Sequence, residues 1–309
     1  MMTRITLAFL TAGFLATTAC AAEQKQEAEA VSAPVKVVAV DPNLPATTDA
    51  DWREPDPENT LYIKTAYGVF VVEMAPEFAP KHVKQVKTLA RQGFYNDITF
   101  HRVIKGFMNQ TGDPRGDGTG DSSLPDIPKE FTFRRSPSDM KIKNLGRVLS
   151  PKGEVETGFY KAFPIASKPG AQAFMTKDGK VDAWALHCPS ITSMARGGGD
   201  ENSANSQFFL MRGAYPSLNT KYSIWGTTIW GRKDLKKIKI GVAGEDKRFV
   251  PDILESVRVA SDIPEAERIN VQILRTDGAA FGKYLEALKG SSGKYPEICD
   301  IQVPTRLKS

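Results

Sequence analysis

One stretch of the sequence, residues 100–113, combines side chains that can do chemistry without a nucleophile. In this stretch Arg102 is followed by the neighbouring Phe107 and Met108 and then by Gln110. An arginine guanidinium is permanently charged and only donates hydrogen bonds, so it can stabilise a lone pair on a bound molecule. Phe107 and Met108 offer an apolar wall, and the glutamine amide can hold the guanidinium. This combination of side chains favours binding and polarising a bound molecule over transferring a proton to or from it.

The motifs of common metal, nucleotide and hydrolase sites are absent from the 309 residues. There is no GxSxG, HExxH or P-loop, and the three histidines, His82, His101 and His187, are scattered. The acidic loop 113–121 lacks the spacing of an EF-hand, and the glycine-rich stretch 196–200 leads into no predicted helix that would bind phosphate. We therefore expect no metal and no cofactor, and we place none of the histidines in the site.

Short elements are predicted to position these residues. Two β-prone runs, 61–64 and 69–74, with Gly68 between them, predict a hairpin. Apolar residues recur at helical spacing over residues 80–92, which predicts a helix. Further β-prone runs occur at 99–104, 107–110, 191–195, 207–211 and 223–230. Many short strands with few helices are typical of a closed barrel or a sandwich.

Two regions depart from this pattern. Residues 134–186 are rich in Arg, Lys, Gly and Pro and show no strong period, so they are predicted to be a long insertion. After residue 265 the sequence changes again, with a predicted strand at 268–275 and a predicted helix at 279–289. We assign residues 266–309 to a C-terminal extension.

The first 21 residues have the pattern of a secretory signal peptide. A cation precedes a short apolar run that ends in small residues around Cys20. Cleavage before Ala22 is favoured over lipidation of Cys20, because Thr17 stands where a lipoprotein signal usually has an aliphatic residue. We expect a periplasmic or secreted protein, held at a membrane only if Cys20 is lipidated. Residues 22–58, rich in Pro, Ala and Glu, are predicted to be a flexible linker.

Composition and charge exclude several classes of protein. Hydrophobic residues make up 41% of the chain and charged residues 25%, which excludes a mostly disordered or multi-span membrane protein. The formal net charge of +5 is not gathered into one basic block, so we do not expect nucleic acid as a partner. Nothing in the sequence demands an assembly, and we expect a monomer.

Three motifs, taken in order, resemble the cyclophilin family of peptidyl-prolyl cis-trans isomerases, in an exported bacterial form. They are Phe100 to Asp113, Ser193-Met194-Ala195-Arg196-Gly197, and Asn205 to Leu210. The resemblance includes the hairpin and the helix and ends around residues 226–231, and we assign residues 59–265 to the isomerase domain. It implies a mainly β fold: a closed eight-stranded antiparallel barrel capped by two helices, with the insertion at about 134–186 and the extension after it.

The resemblance also implies the roles of individual residues. Arg102 would be the catalytic arginine, and Gln110 the amide that holds it and touches the substrate. The implied substrate groove contains Phe107, Met108, Ala195, Arg196, Gln207, Phe209, Leu218 and Tyr222. Tyr222 departs from the family, which more often has histidine at this wall of the pocket.

The implied reaction is rotation about X-Pro bonds in unfolded or folding exported proteins, with proline-containing polypeptide segments as partners. No covalent bond changes in this rotation, so the site has to prefer the twisted amide and needs no nucleophile. The alternative is a catalytically weak proline-peptide-binding module or chaperone on a cyclophilin-like scaffold.

The chain without its signal peptide would retain two cysteines, Cys188 and Cys299. In an oxidising compartment we hypothesise that they form a disulfide, which would fasten the C-terminal extension to the barrel. The alternative is a buried Cys188 and an incidental Cys299.

Overall fold

The computed structural model describes residues 41–138, 143–150 and 153–308. The predicted signal peptide and the predicted linker up to residue 40 lie outside these ranges. The described part is mainly β, with the helices α1 (Pro80–Arg91) and α2 (Ala279–Leu288). The strands are β1 (Trp52–Arg53), β2 (Thr60–Thr65), β3 (Gly68–Met74), β4 (Ile98–Thr99), β5 (Arg102–Ile104), β6 (Met108–Thr111), β7 (Phe133–Arg135), β8 (Lys143–Ser150), β9 (Gly153–Tyr160), β10 (Phe163–Ser167), β11 (Val181–Ala185), β12 (Ile191–Met194), β13 (Phe208–Met211), β14 (Ile224–Trp230), β15 (Gly241–Val242), β16 (Ile253–Val259), β17 (Val271–Leu274) and β18 (Thr305–Leu307). None of the helices in these ranges has the length and apolar character that crossing a membrane requires.

Ten strands form one antiparallel sheet, in the spatial order β15-β5-β6-β13-β12-β14-β3-β2-β16-β4. Only Phe100 and His101 separate β4, at one edge, from β5, next to the other edge, so the sheet curls back toward itself. At this corner Phe100 donates its N–H to the Asp252 carbonyl, and the His101 carbonyl accepts from the N–H of Ala243. The single strand predicted at 99–104 is therefore split in two.

The main sheet differs from the expected closed eight-stranded barrel. It has ten strands, and no strand pairing joins β4 to β5 or β15 among the described residues. The extra strands are short: β4 and β15 have two residues each. At the corner, the backbone groups of Phe100 and His101 hydrogen-bond to Asp252 and Ala243. These bonds replace a direct pairing between β4 and β5, so the sheet curls there without closing.

The predicted hairpin and the predicted first helix are confirmed. Strands β2 and β3 pair in register from Thr60 opposite Glu73 to Thr65 opposite Gly68. Helix α1 begins at Pro80, where the missing N–H costs nothing, and buries Val83, Val86 and Leu89 in the main core. Each fully buried side chain of this size stabilises the fold by roughly 1.5–3 kcal/mol.

The expectation of two capping helices is wrong for the part of residues 59–265 that the structure describes. That part contains one α-helix, α1, and only short 3-10 helices besides. One of these, Asp234–Lys237, buries Leu235 in the main core. A single turn suffices to place that side chain, and Lys236 and Lys237 remain at the surface.

The insertion is more regular than its sequence indicates. Residues 133–185 contain the strands of a second, five-stranded antiparallel sheet, ordered β7-β11-β10-β9-β8. Its central strand β10 is buried at all five positions, so its residues do not alternate between apolar and polar. This continuous burial is why no period of two marks the strand in the sequence.

The C-terminal extension folds together with part of the predicted linker. The predicted strand and helix at 268–275 and 279–289 are confirmed as β17 and α2. Strand β17 pairs with β18 on one side and with β1 on the other, in a three-stranded sheet. The Trp52 side chain of β1 is buried in a cluster with Phe281 and Leu285. The described end of the predicted linker is therefore part of the fold, held by residues more than 200 positions away.

The hypothesised disulfide is confirmed. Cys188 and Cys299 are bonded, with their Cα atoms 4.8 Å apart and 111 positions between them in sequence. Cys188 follows β11 and Cys299 lies between α2 and β18. The bond ties the extension to the segment that leads into β12 of the main sheet.

Replacing both cysteines by serine, Cys188→Ser with Cys299→Ser, is expected to lower the free energy of unfolding by about 2–4 kcal/mol, since the cross-link restricts the unfolded chain. Denaturant titration of the oxidised wild-type protein and the double variant measures the difference. The reduced wild-type protein serves as the control and should unfold with the double variant. Coincident curves for the oxidised protein and the double variant would contradict the expectation.

Candidate active site

A chain of hydrogen bonds runs from β5 across β6 to Gln207, which directly precedes β13. Arg102 on β5 lies opposite Gln110 on β6, and its Nη1 donates to Gln110 Oε1 over 3.1 Å. Gln110 Nε2 in turn donates to Gln207 Oε1 over 3.0 Å. Gln207 Nε2 ends the chain on two backbone carbonyls, at 3.1 Å from Gly118 O and 2.9 Å from Gly120 O. The side chain of Arg102 is thereby tied to the backbone of a loop.

That loop is shaped by Asp113. Its carboxylate accepts the N–H groups of Arg115, Asp117 and Gly118. Gly112 allows the close approach to β13, because a Cβ there would lie 2.5 Å from the Ser206 carbonyl oxygen. The acidic stretch 113–121 is thus a loop that organises its own backbone. No group of three His, Cys, Asp or Glu side chains in the described part of the chain is placed to hold a metal ion.

The residues predicted to form the proline pocket lie beside Arg102 in one apolar cluster. Met108 and Phe209 are buried, and the half-buried Phe107, Leu218 and Tyr222 pack in the same cluster. Phe209 meets Tyr222 edge to face, with ring centroids 5.8 Å apart. The Arg102 guanidinium carbon lies 5.9 Å from the centre of the Phe107 ring, and Arg102 Nη1 is 3.9 Å from the Met108 sulfur. The structure therefore brings the predicted pocket residues together next to the predicted catalytic arginine.

The remaining predicted residues, Ala195 and Arg196, follow the end of β12. Ala195 donates its N–H to the Gln207 carbonyl over 2.9 Å and packs against the pocket cluster. The Arg196 guanidinium carbon lies 4.7 Å from the centre of the Tyr222 ring. Every residue predicted for the site is thus on one contiguous face.

Three residues that contact the site were not predicted. His187 stacks on Phe209, with centroids 6.3 Å apart and planes 20° apart, and Tyr215 packs on Phe107 at 4.2 Å. Phe131 lies near Arg196, with its ring centre 5.9 Å from the guanidinium carbon. Nothing in the neighbouring sequence distinguishes these three residues from other aromatic residues of the chain. Only the folded structure shows that they lie beside the site.

The buried histidines near the site are neutral at neutral pH. Burial lowers the pKa of His187 to about 4, against the smaller opposing effect of its hydrogen bond with Asn219. Burial also lowers the pKa of His101, which lies behind Arg102 in the corner between β4 and β5. An uncharged imidazole beside Phe209 keeps this side of the pocket apolar.

Comparison with known proteins agrees with this geometry. Residues 60–259 match the family model described as cyclophilin type peptidyl-prolyl cis-trans isomerase/CLD. The chain belongs to this family. The matched range contains Arg102, the pocket and the Gln110–Gln207 pair.

Individual cyclophilins resemble the chain over different lengths. A protein of Brucella suis named "Probable peptidyl-prolyl cis-trans isomerase" is 33% identical over 202 residues, which cover 62% of this chain and 76% of that protein. Peptidyl-prolyl cis-trans isomerase-like 1 of Mus musculus is 33% identical over 153 residues, or 48% of this chain and 81% of that protein. The crystal structure of cyclophilin AquaCyp293 from Hirschia baltica superposes with a TM-score of 0.71 and 33% identity, over 85% of this chain and 98% of that one. The protein is therefore a peptidyl-prolyl cis-trans isomerase.

Acidification is expected to destabilise this cyclophilin through His187. Between the ordinary pKa of 6.5 and the folded value of about 4, this histidine binds a proton only in the unfolded state. Stability is therefore lost as the pH falls through that window, by up to about 1.4 kcal/mol per pH unit. Urea titrations from pH 7.5 to 4.5 measure the slope.

The matched control is His187→Gln, whose slope should be smaller than that of the wild-type protein by up to this amount. Because His101 adds a slope of the same sign, the difference between the two proteins is the quantity to compare. Equal slopes would show that His187 is protonated in the folded protein as easily as in the unfolded one.

Proposed function

We propose that Arg102 is the catalytic residue of this cyclophilin and that its guanidinium donates a hydrogen bond to the prolyl nitrogen of a twisting X-Pro bond. The observation that carries the proposal is the anchored chain from Arg102 through Gln110 and Gln207 to the backbone. This chain holds a permanently charged hydrogen-bond donor at the edge of the proposed pocket. The side chains of the pocket are apolar, which suits a pyrrolidine ring.

The chemistry of the reaction requires such a donor. Rotation about an X-Pro bond breaks amide resonance, with an activation energy of about 20 kcal/mol. In the twisted amide the prolyl nitrogen becomes pyramidal and its lone pair can accept a hydrogen bond. A donor that meets the nitrogen only in this geometry stabilises the transition state more than either planar form, which is what lowers a barrier.

Gln110 has two roles in this proposal. Its carbonyl oxygen holds Arg102, and its amide is held by Gln207, so the guanidinium has little freedom to turn away. Its position between Arg102 and the pocket also lets it touch the bound substrate. Gln207 acts through Gln110 and is a positioning residue.

The pocket would bind the proline ring itself. Met108 and Phe209 form its buried part, and Phe107, Leu218 and Tyr222 complete the walls. These side chains exclude water, and a hydrogen bond from Arg102 is stronger where water is excluded. Tyr222 keeps a hydroxyl at the wall where the family more often has a histidine.

The backbone after β12 is suited to bind the residue before the proline. The Ala195 N–H is already bonded to Gln207, whereas the N–H and carbonyl of Arg196 have no hydrogen-bond partner among the described residues. An extended segment would bind there through its own backbone groups, which is independent of sequence. This supports a broad class of partners: proline-containing segments of unfolded or folding polypeptides.

We further propose that the protein acts on exported proteins. Two features support this: the signal-like residues 1–21, and the Cys188–Cys299 disulfide, since disulfides persist mainly in oxidising compartments. The mass of the N-terminal peptide of the mature protein tests the mode of export. Cleavage before Ala22 gives an unmodified peptide, whereas a lipoprotein begins with a lipidated Cys20.

Arg102→Ala is expected to lower kcat/KM by about a thousandfold, which corresponds to about 4 kcal/mol of transition-state stabilisation. NMR exchange spectroscopy on an Ala-Pro peptide measures the rate. Arg248→Ala is the matched control, because Arg248 is exposed and its ion pair is with the nearby Asp246. Loss of activity in the control, or its survival in Arg102→Ala, would refute the assignment.

Gln207→Leu is expected to lower kcat/KM by about tenfold, since one hydrogen bond that orients Gln110 is lost. The same substitution in an Arg102→Ala background should have almost no further effect on kcat/KM, because the guanidinium that Gln207 helps to position is then absent. A merely structural role for Gln207 would instead reduce the rate by the same factor in both backgrounds. The thermal midpoint of each variant confirms that it is folded.

A further inference from the structure

Several arginines of the described chain pair with a carboxylate, but the two arginines of the groove, Arg102 and Arg196, do not. Arg53, for example, pairs with Glu73 at 2.6 Å, and Arg91 pairs with Glu58 at 2.8 Å. Arg102 is bonded to an amide oxygen and a thioether, and Arg196 is bonded only to backbone carbonyls. Within the described residues no carboxylate lies within salt-bridge distance of either groove arginine.

The Arg196 guanidinium is held in a fixed place. Its Nε donates to the Lys221 carbonyl over 3.1 Å, and its Nη1 donates to the Gly197 carbonyl over 2.9 Å. One face covers the ring of Tyr222 at 4.7 Å, and Phe131 lies further out at 5.9 Å. A charged side chain with this much support loses little freedom when it binds a ligand.

Part of the guanidinium remains available. An arginine has five N–H donors, and Arg196 uses two of them for the carbonyls. The others have no partner in the described part of the chain, and none of these nitrogens is both buried and unsatisfied. They are therefore open to a ligand in the groove.

We propose that Arg196 makes this isomerase prefer substrates with an acidic residue immediately before the proline. The inference rests on the proposed function, in which the backbone of Arg196 binds that same residue. The side chain of Arg196 then turns back over Tyr222, the wall of the proline pocket, and its charge lies between the pocket and the bound residue. A glutamate or aspartate side chain of the substrate would accept hydrogen bonds from the free guanidinium donors.

Two carboxylates lie on the loop that follows Arg196. The hydrogen bond from Lys129 lowers the pKa of one of them, Glu201, and the charge of Arg196 helps to lower it, although neither carboxylate forms a salt bridge with Arg196. Glu201, on the loop that follows Arg196, is paired with Lys129 at 2.6 Å. Asp200 accepts the N–H of Asn202 within the same loop. Arg102, the proposed catalytic residue, is also positively charged, and its charge adds to the attraction for an acidic substrate segment.

The test compares three peptides that differ only in the residue before proline: glutamate, glutamine or lysine. NMR exchange spectroscopy gives the catalysed rate of each, relative to its uncatalysed rate. We expect the wild-type protein to have a kcat/KM for the glutamate peptide at least about fivefold higher than for the lysine peptide, the effect of a partly exposed ion pair. The ratio should shrink in 0.5 M salt, since exposed charges are screened.

Variants of Arg196 separate charge from structure. In Arg196→Gln the ratio should fall to about one, in Arg196→Glu it should invert, and Arg196→Lys should retain part of it. Arg248→Gln is the control and should keep the wild-type ratio. A wild-type ratio near one, or a ratio that survives in both Arg196→Gln and Arg196→Glu, would overturn the proposal and leave Arg196 as a support for Tyr222.

The same peptides are also titrated into the protein to measure binding by NMR. If no peptide is isomerised by the wild-type protein, the proposed function fails, but the order of the dissociation constants still decides the preference. Tighter binding of the glutamate peptide that depends on Arg196 supports the inference, and equal binding of the three peptides overturns it.

Discussion

The hydrogen bond between Gln110 and Gln207 is the interaction on which the site depends. Without it, Arg102 would be attached only to a mobile amide on its own hairpin, and an arginine side chain loses much rotamer freedom when it is held. Gln207 is itself fixed by Gly118 and Gly120, whose loop is shaped by the Asp113 carboxylate. The orientation of the Arg102 guanidinium thus depends on the loop at residues 113–121 and on Gln207, which lies just before β13.

The pocket depends on the elements around the main sheet as much as on the sheet. Met108 and Phe209 share their apolar cluster with Phe163, Ile165 and Trp184 of the second sheet. The disulfide then joins the segment next to His187 to the C-terminal extension. The match to AquaCyp293 covers 85% of the chain, more than the family range of residues 60–259, so these additions are largely shared with that cyclophilin.

Arg53 and the two arginines of the groove have different kinds of hydrogen-bond partner. Glu73 is buried in β3, and its bidentate pair with Arg53 joins the main sheet to the start of the described chain. A buried carboxylate needs such a partner, because desolvation is otherwise too costly. Among the described residues, Arg102 and Arg196 have no carboxylate partner, and their guanidinium groups donate to an amide oxygen and to backbone carbonyls.

The local elements, and the residues that we propose for the site, could be predicted from the amino-acid sequence alone. The hairpin β2–β3 and the helices α1 and α2 were predictable because each has a short period in the sequence. The ten proposed site residues follow from the resemblance to the cyclophilin family. Other features of the molecule depend on contacts that form only in the folded chain. The continuous burial of β10, the packing of Trp52 and the position of Arg196 over Tyr222 come from contacts between distant segments, and no pattern of neighbouring residues encodes them. For the same reason the sequence identified Arg102, and only the fold showed which groups hold its charge in place.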